Sequence, residues 1–316
     1  MRGILNFLKN WVLIIALLVG CLAHNVLIGY ADKTMYLIFG MLFFTFCRIN
    51  PSQLKLHRVH GIFLAVQILG AALSYYILKF CGAEMVAESV MICILAPTAA
   101  ASVVVTMKLG GDPASNATYV LLSNIAVSLV VPLWFPFINP AMAEMSFWVA
   151  CWSILKKVMP LLLGPFVLAM VLKGLLPKVH AKAASWHEVS FYLWALCLVF
   201  SAAQMIDAID RSDAGWAVSL LLVVCAVALC LVQFALGHRL GGRYGDRVGG
   251  GQSLGQKNIV LAIWISYMFL SRTVGETPMV VVALGAYIIT QNMVNSWQLY
   301  RMRMKTEAHE ATEMVP

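Results

Sequence analysis

Charge is scarce in this chain. Asp, Glu, Lys and Arg make up 11% of its 316 residues, and only 14 residues are acidic. A soluble protein of this length needs a charged surface. Here 61% of the sequence is hydrophobic and the mean hydropathy is +0.85, so the class is an all-α polytopic membrane protein. Short segments of alternating polarity are missing, which excludes a transmembrane β-barrel. None of the eight cysteines forms a CxxC pair or sits beside histidine ligands. Cys21, Cys47, Cys93, Cys197, Cys225 and Cys230 lie inside apolar runs and read as small hydrophobes, not as a metal or disulfide framework. There is no HExxH, no GxSxG and no phosphate-binding glycine loop, so neither an enzyme nor a cofactor is expected. The net charge of +8 is spread over short loops, which argues for a membrane surface and against nucleic acid. The N-terminal apolar stretch resembles a signal peptide but lacks a small-residue cleavage site before His24 and Asn25. It is read as a first transmembrane helix.

What is present is a series of apolar runs, at roughly 11–30, 34–48, 60–80, 86–107, 115–138, 158–175, 187–208, 215–237, 252–270 and 277–298. That predicts ten spans. Residues 145–157, with Phe147, Trp148, Trp152, Lys156 and Lys157, read as an interfacial amphipathic segment leading into the sixth. With ten spans and both ends cytoplasmic, alternate loops carry 15 and 6 of the 22 Lys and Arg residues, and Lys257 lies within the membrane. The bias supports that orientation in a cytoplasmic (inner) membrane. A division near residue 140 leaves five spans in each half. An odd number makes the halves insert in opposite orientation, so residues 1–140 and 141–305 read as inverted repeats. The polar tail 306–316 is expected to be disordered.

The fourth and ninth spans are counterparts in this scheme, and both are interrupted. Pro97 removes a backbone donor from the fourth, where Thr98 and Ser102 add hydroxyls. The ninth carries Ser253, Gly255, Gln256, Lys257 and Asn258 where a membrane helix should be apolar. A lysine at bilayer depth costs about 2.5–3.5 kcal/mol on insertion scales, and it is tolerated where it faces a bundle interior or a water-filled cavity. Snorkelling to the headgroups is the structural alternative. Matching interruptions in two halves point to a substrate site, because broken helix ends expose amides for anions and carbonyls for cations. The glycines of 241–251 read as a flexible hinge before the ninth span, and Asp207, Asp210 and Asp213 with Arg211 read as a solvated extracytoplasmic turn. Further polar groups follow the fifth span (Asn116, Thr118, Ser123, Asn124, Ser128) and the tenth (Thr290, Gln291, Asn292, Asn295, Ser296). Gln67 and Gln204 take comparable places in the third and seventh. Each is either a cavity group or a helix-packing hydrogen bond.

Around the two interruptions the chain resembles the bile acid:sodium symporter family. The family pattern Pro-Gly-Gly-Thr-Ala-Ser-Asn corresponds to Pro97-Thr98-Ala99-Ala100-Ala101-Ser102-Val103, followed by the turn Gly110-Gly111-Asp112. Its pattern Glu-x-Gly-x-Gln-Asn corresponds to Ser253-Leu254-Gly255-Gln256-Lys257-Asn258. The resemblance implies ten transmembrane helices as two inverted five-helix repeats, with crossed, unwound fourth and ninth helices. It also implies sodium ligands at these segments and at Asn116. Ser102 and Asn258 match the pattern. The Glu position holds Ser253, the Gln position Lys257 and the Asn position Val103, so a carboxylate is gone and a cation has arrived.

An ammonium beside bound sodium would be strongly repelled in a low-dielectric site. The expectation is therefore a secondary active transporter of a small organic anion (a carboxylate, sulfonate or bile-acid-like solute). It works by alternating access without the family's two sodium sites, and Lys257 serves as a fixed or protonatable charge. The expected site residues are Thr98, Ser102, Asn116, Ser123, Asn124, Ser253, Gln256, Lys257, Asn258 and Asn292. A proton-coupled efflux carrier or antiporter on the same fold, and a non-transporting membrane sensor, are the alternatives.

Overall fold

The structure is a computed structural model that describes residues 14–49, 56–139, 145–211, 215–271 and 278–313, with the single positions 12, 52, 54 and 142. Among them it is all-helical, with no strand beyond one isolated bridge. In the first half run α1 (Ile14–Leu22), α2 (His24–Leu27), α3 (Thr34–Phe46), α4 (Arg58–Phe80), α5 (Glu84–Leu95), α6 (Ala101–Lys108) and α7 (Pro113–Trp134). In the second run α8 (Phe147–Leu162), α9 (Gly164–Leu175), α10 (Pro177–Ser185), α11 (His187–Asp210), α12 (Gly215–Arg243), α13 (Arg247–Gly255), α14 (Ile259–Phe269) and α15 (Val280–Glu313).

Helices fall on each apolar run, but their lengths differ. Four described helical segments are long and apolar enough to cross a membrane alone, spanning Arg58–Phe80, Pro113–Phe137, Glu188–Asp210 and Gly215–Arg243. The count becomes six when each of two bent pairs is taken as one span: Ile14–Leu22 with His24–Ala31, bent by 79°, and Phe147–Leu162 with Gly164–Leu175, bent by 44°. Residues 147–157 of the stretch expected to lie at the interface fall in α8, which buries Ala150, Ile154 and Val158, leaves Trp148 and Trp152 exposed and bends into α9. Pro160 and Pro165 flank its bend, and each removes a backbone donor.

The main core cluster joins Ile38, Leu42 and Phe46 of α3, Ile92 and Leu95 of α5, Leu261 and Ile265 of α14, and Val281 and Leu284 of α15, and a smaller one joins Val59, Phe63, Tyr119 and Leu254. The glycines read as a hinge have another role. A Cβ on Gly237 of α12 would lie 2.3 Å from the Gly250 carbonyl oxygen, and one on Gly250 would lie 2.4 Å from that of Gly237. One on Gly241 would lie 2.3 Å from the Asp246 carbonyl. These residues form a seam through which α12 and α13 touch backbone to backbone, the use of small residues common in membrane helices. Asp246 caps α13, accepting from Gly249 N at 2.7 Å, and accepts from Asp112 N at 3.2 Å.

Asp207 is buried in the last turn of α11 and pairs with Arg211 at 2.6 Å, while Asp210 reaches His24 at 3.3 Å. Asp207 is thus drawn out of solvent, whereas Asp210 and Arg211 stay exposed and only Asp210 ties α11 to α2; Asp213 lies outside the described residues. The tail is helical through residue 313, because Lys305, Glu307, Ala308, Glu310 and Ala311 are good helix formers continuing an established helix. Residues 314–316 lie outside the described residues, as do Arg2, Lys9, Lys55 and Arg272 of the charge count.

Candidate functional site at the crossing of two broken helices

α5 ends where Pro97 withdraws its backbone donor. The preceding Ala96 takes φ −45°, ψ 133°, the extended conformation that proline imposes on its neighbour. α6 restarts at Ala101. In the second half α13 ends at Gly255, Gln256 is extended at φ −92°, ψ 96°, and α14 restarts after Asn258, whose Oδ1 accepts from Leu261 N at 3.3 Å. The two breaks meet. Thr98 and Lys257 form an antiparallel bridge, with Ala99 N donating to Gln256 O at 2.9 Å and Asn258 N to Pro97 O at 2.7 Å.

Broken helices leave carbonyls unpaired, and in lipid each unpaired group costs several kcal/mol. Here side chains from other helices meet them. At the end of α5, Gln233 Nε2 of α12 donates to Cys93 O at 3.4 Å and Lys257 Nζ to Ile94 O at 3.0 Å. Gln67 Nε2 of α4 donates to both Leu95 O (2.7 Å) and Ala96 O (3.0 Å). At the end of α13, Thr98 Oγ1 donates to Ser253 O at 2.6 Å and the Tyr287 hydroxyl to Gly255 O at 2.9 Å. Gln291 of α15 bridges the Lys257 backbone, accepting from its N at 2.8 Å and donating to its O at 3.1 Å.

Lys257 is 1% exposed, so the snorkelling alternative does not hold. No carboxylate among the described residues lies within ion-pair distance of it. Its ammonium instead sits at the carbonyl end of α5, where the helix dipole favours a cation. On the other side of the crossing Ser102 Oγ donates to Asn116 Oδ1 at 2.6 Å, and Asn116 Nδ2 donates to Ser253 Oγ at 2.9 Å. Ser123 Oγ accepts from Thr98 N at 3.1 Å. Three buried atoms here have no partner: Asn124 Oδ1, Gln256 Oε1 and Asn258 Nδ2. The N–H groups of Ala100 and Ala101, at the start of α6, meet no carbonyl among the described residues, and Ala101 is exposed.

The structure thus gathers Thr98, Ser102, Asn116, Ser123, Ser253, Gln256, Lys257 and Asn258 at one place. Asn124 bonds its own helix through Val120 O at 2.7 Å. Asn292 is not brought in. Its amide donates to Ile288 O of its own helix at 2.6 Å, and its neighbour Gln291 reaches the crossing instead. Gln233 and Tyr287, absent from the expected set, link both helices, since Gln233 Nε2 also donates to the Tyr287 hydroxyl at 3.0 Å. Gln233 carried a signal in the sequence, being an amide in the middle of an apolar run.

The sequence model described as the Sodium Bile acid symporter family matches residues 34–212, more than half of the chain. The chain belongs to the sodium bile acid symporter family. It is therefore a multi-pass membrane protein of a transporter family, and the matched region contains the first broken pair, α5 and α6. No curated protein matches the chain.

Proposed function

We propose that the protein is a secondary active transporter, not an enzyme, that carries a small organic anion across the cytoplasmic membrane by alternating access. In this reading it has ten spans in two inverted five-helix repeats, with both termini cytoplasmic, and the crossing is its substrate site. The observation that carries the reading is the Lys257 ammonium on the Ile94 carbonyl, at the end of a broken helix. A helix C-terminus in a membrane is a cation site, and here the cation is tethered to the chain. Ser102, Asn116 and Ser253, at positions where the family resemblance implies sodium ligands, are bonded to one another instead. Both features support transport that does not use the family's two sodium sites. The amides of Ala100 and Ala101, which meet no carbonyl among the described residues, suit a carboxylate or sulfonate.

Counterflow in proteoliposomes tests the reading. Vesicles preloaded with one of a panel of unlabelled carboxylates or sulfonates should accumulate the labelled solute above its external concentration. Binding without exchange for every anion that binds would make the protein a sensor and defeat the proposal.

A further inference from the structure

A groove of about 470 Å³ lies at the start of α4, lined by Leu56, His57, Arg58, Gly61, Leu64 and Leu122. Its volume is in the range of about 300–1,000 Å³ typical of small-molecule sites. Three leucines supply apolar wall, and Leu56 is 76% exposed. Gly61 leaves the floor open, since a Cβ there would meet nothing within 4 Å. At the mouth, Arg58 is exposed and makes no ion pair among the described residues, and no acidic residue lies in the first turn of α4. His57 is held there by the cap in which His57 N donates to His60 Nδ1 at 3.2 Å. α4 is long and apolar enough to span the membrane, so its first turn lies at the level of the headgroups.

An open apolar groove beside a helix long enough to span the membrane, with an exposed guanidinium in its lining and no ion pair to it among the described residues, has the polarity of an anionic phospholipid: acyl chain along the leucines, phosphodiester at the fork of Arg58. We infer that this groove is a binding site for one anionic phospholipid. Charge complementarity selects that occupant. A zwitterionic lipid would bring a choline group to the same cation, and a free solute would leave the leucine walls in water. Arginine offers planar, bidentate recognition of phosphate oxygens, and a basic pocket beside membrane helices is the usual form of such sites.

The test uses the full chain, purified in detergent, delipidated and mixed with equal amounts of phosphatidylglycerol and phosphatidylcholine, with retained lipid counted by native mass spectrometry. The expected result is one tightly held lipid with phosphatidylglycerol favoured about five-fold, the effect of roughly one basic residue near an anionic headgroup. Arg58→Gln should bring that preference close to one. Gly61→Phe should lower the total retained, because its Cβ meets nothing within 4 Å and the ring takes up space in the groove. Arg243→Gln, an exposed arginine elsewhere, should change neither. All three positions are exposed, and gel filtration reports whether each variant is folded. Equal retention of the two lipids would overturn the inference. So would an Arg243→Gln effect as large as that of Arg58→Gln, or a Gly61→Phe variant that retains lipid as the native chain does.

Discussion

Replacing Ser253 by glutamate and Lys257 by glutamine together should make transport depend on sodium. The uptake rate of Ser253→Glu/Lys257→Gln is expected to rise about ten-fold or more between sodium-free and sodium-containing buffer, with the native chain unaffected by the same change. The argument is one of charge and donors. The double replacement removes an ammonium and adds a carboxylate at two neighbouring points of one buried crossing, a swing of two charges where a unit charge at 4 Å is worth about 4 kcal/mol at an effective dielectric constant of 20. It also frees Ile94 O, which now receives Lys257 Nζ at 3.0 Å, and places a carboxylate next to the oxygens of Ser102 and Asn116. The single variant Lys257→Gln is expected to be the poorest of the set. Losing the charge-assisted hydrogen bond costs about 1.5–3 kcal/mol, or about ten- to a hundred-fold in rate when the site is needed intact. Labelled-solute uptake in matched vesicles checks the series. A double variant as slow as the single one, with and without sodium, would mean that the ammonium does not stand where a cation is wanted.

The second large effect belongs to the seam. Gly250→Leu is expected to prevent α12 and α13 from docking. A Cβ at that position would approach Gly237 O to 2.4 Å and the Gly241 Cα to 2.6 Å, both backbone atoms that no rotamer change can move. Overpacking of a core costs typically about 1–3 kcal/mol when side chains yield, and backbone contacts place this case at or above that range. Since α13 carries Ser253 and leads into Lys257, separating it from α12 dismantles the crossing as well. The measurement is fluorescence-detected gel filtration after a heating series, in which Gly250→Leu should lose its monodisperse peak at least about 10 °C below the native chain or not form one. Gly174→Leu is the control, because a Cβ there meets nothing within 4 Å. Equal thermal behaviour of the two variants would show that the seam is not a contact.

The break in the fourth run was readable because proline has one chemical meaning in a helix interior, and Ala96 shows the extended backbone that follows from it. Lys257 was readable because a buried lysine is costly wherever it lies. The residues that answer the broken carbonyls were harder. Tyr287 counts as apolar in any hydropathy pattern, and its hydroxyl acquires a role only once Gly255 O is opposite it. Gln291 and Asn292 are adjacent and both polar. One residue is about 100° of rotation on a helix, so deciding which faces the crossing needs the helix orientation that packing alone sets. Glycine is ambiguous in the same way. The run at 241–251 suits a hinge and a contact seam equally until Gly237 is found on the other side. Asp207 looked solvated because three acids fall within seven residues around a loop, yet α11 continues through it and Arg211 folds back on it.

The most direct measurement is uptake by the native chain in proteoliposomes with sodium and pH gradients imposed separately. The account predicts that an imposed sodium gradient leaves the rate of organic-anion uptake unchanged at constant pH, and that a proton gradient alone drives accumulation when Lys257 carries the exchanging charge. Uptake that requires sodium, and stops when potassium replaces it, would contradict the account. The ion would then be held by oxygens other than those that Lys257 and Asn116 already occupy, with Asn124 Oδ1 and Gln256 Oε1 the first to examine.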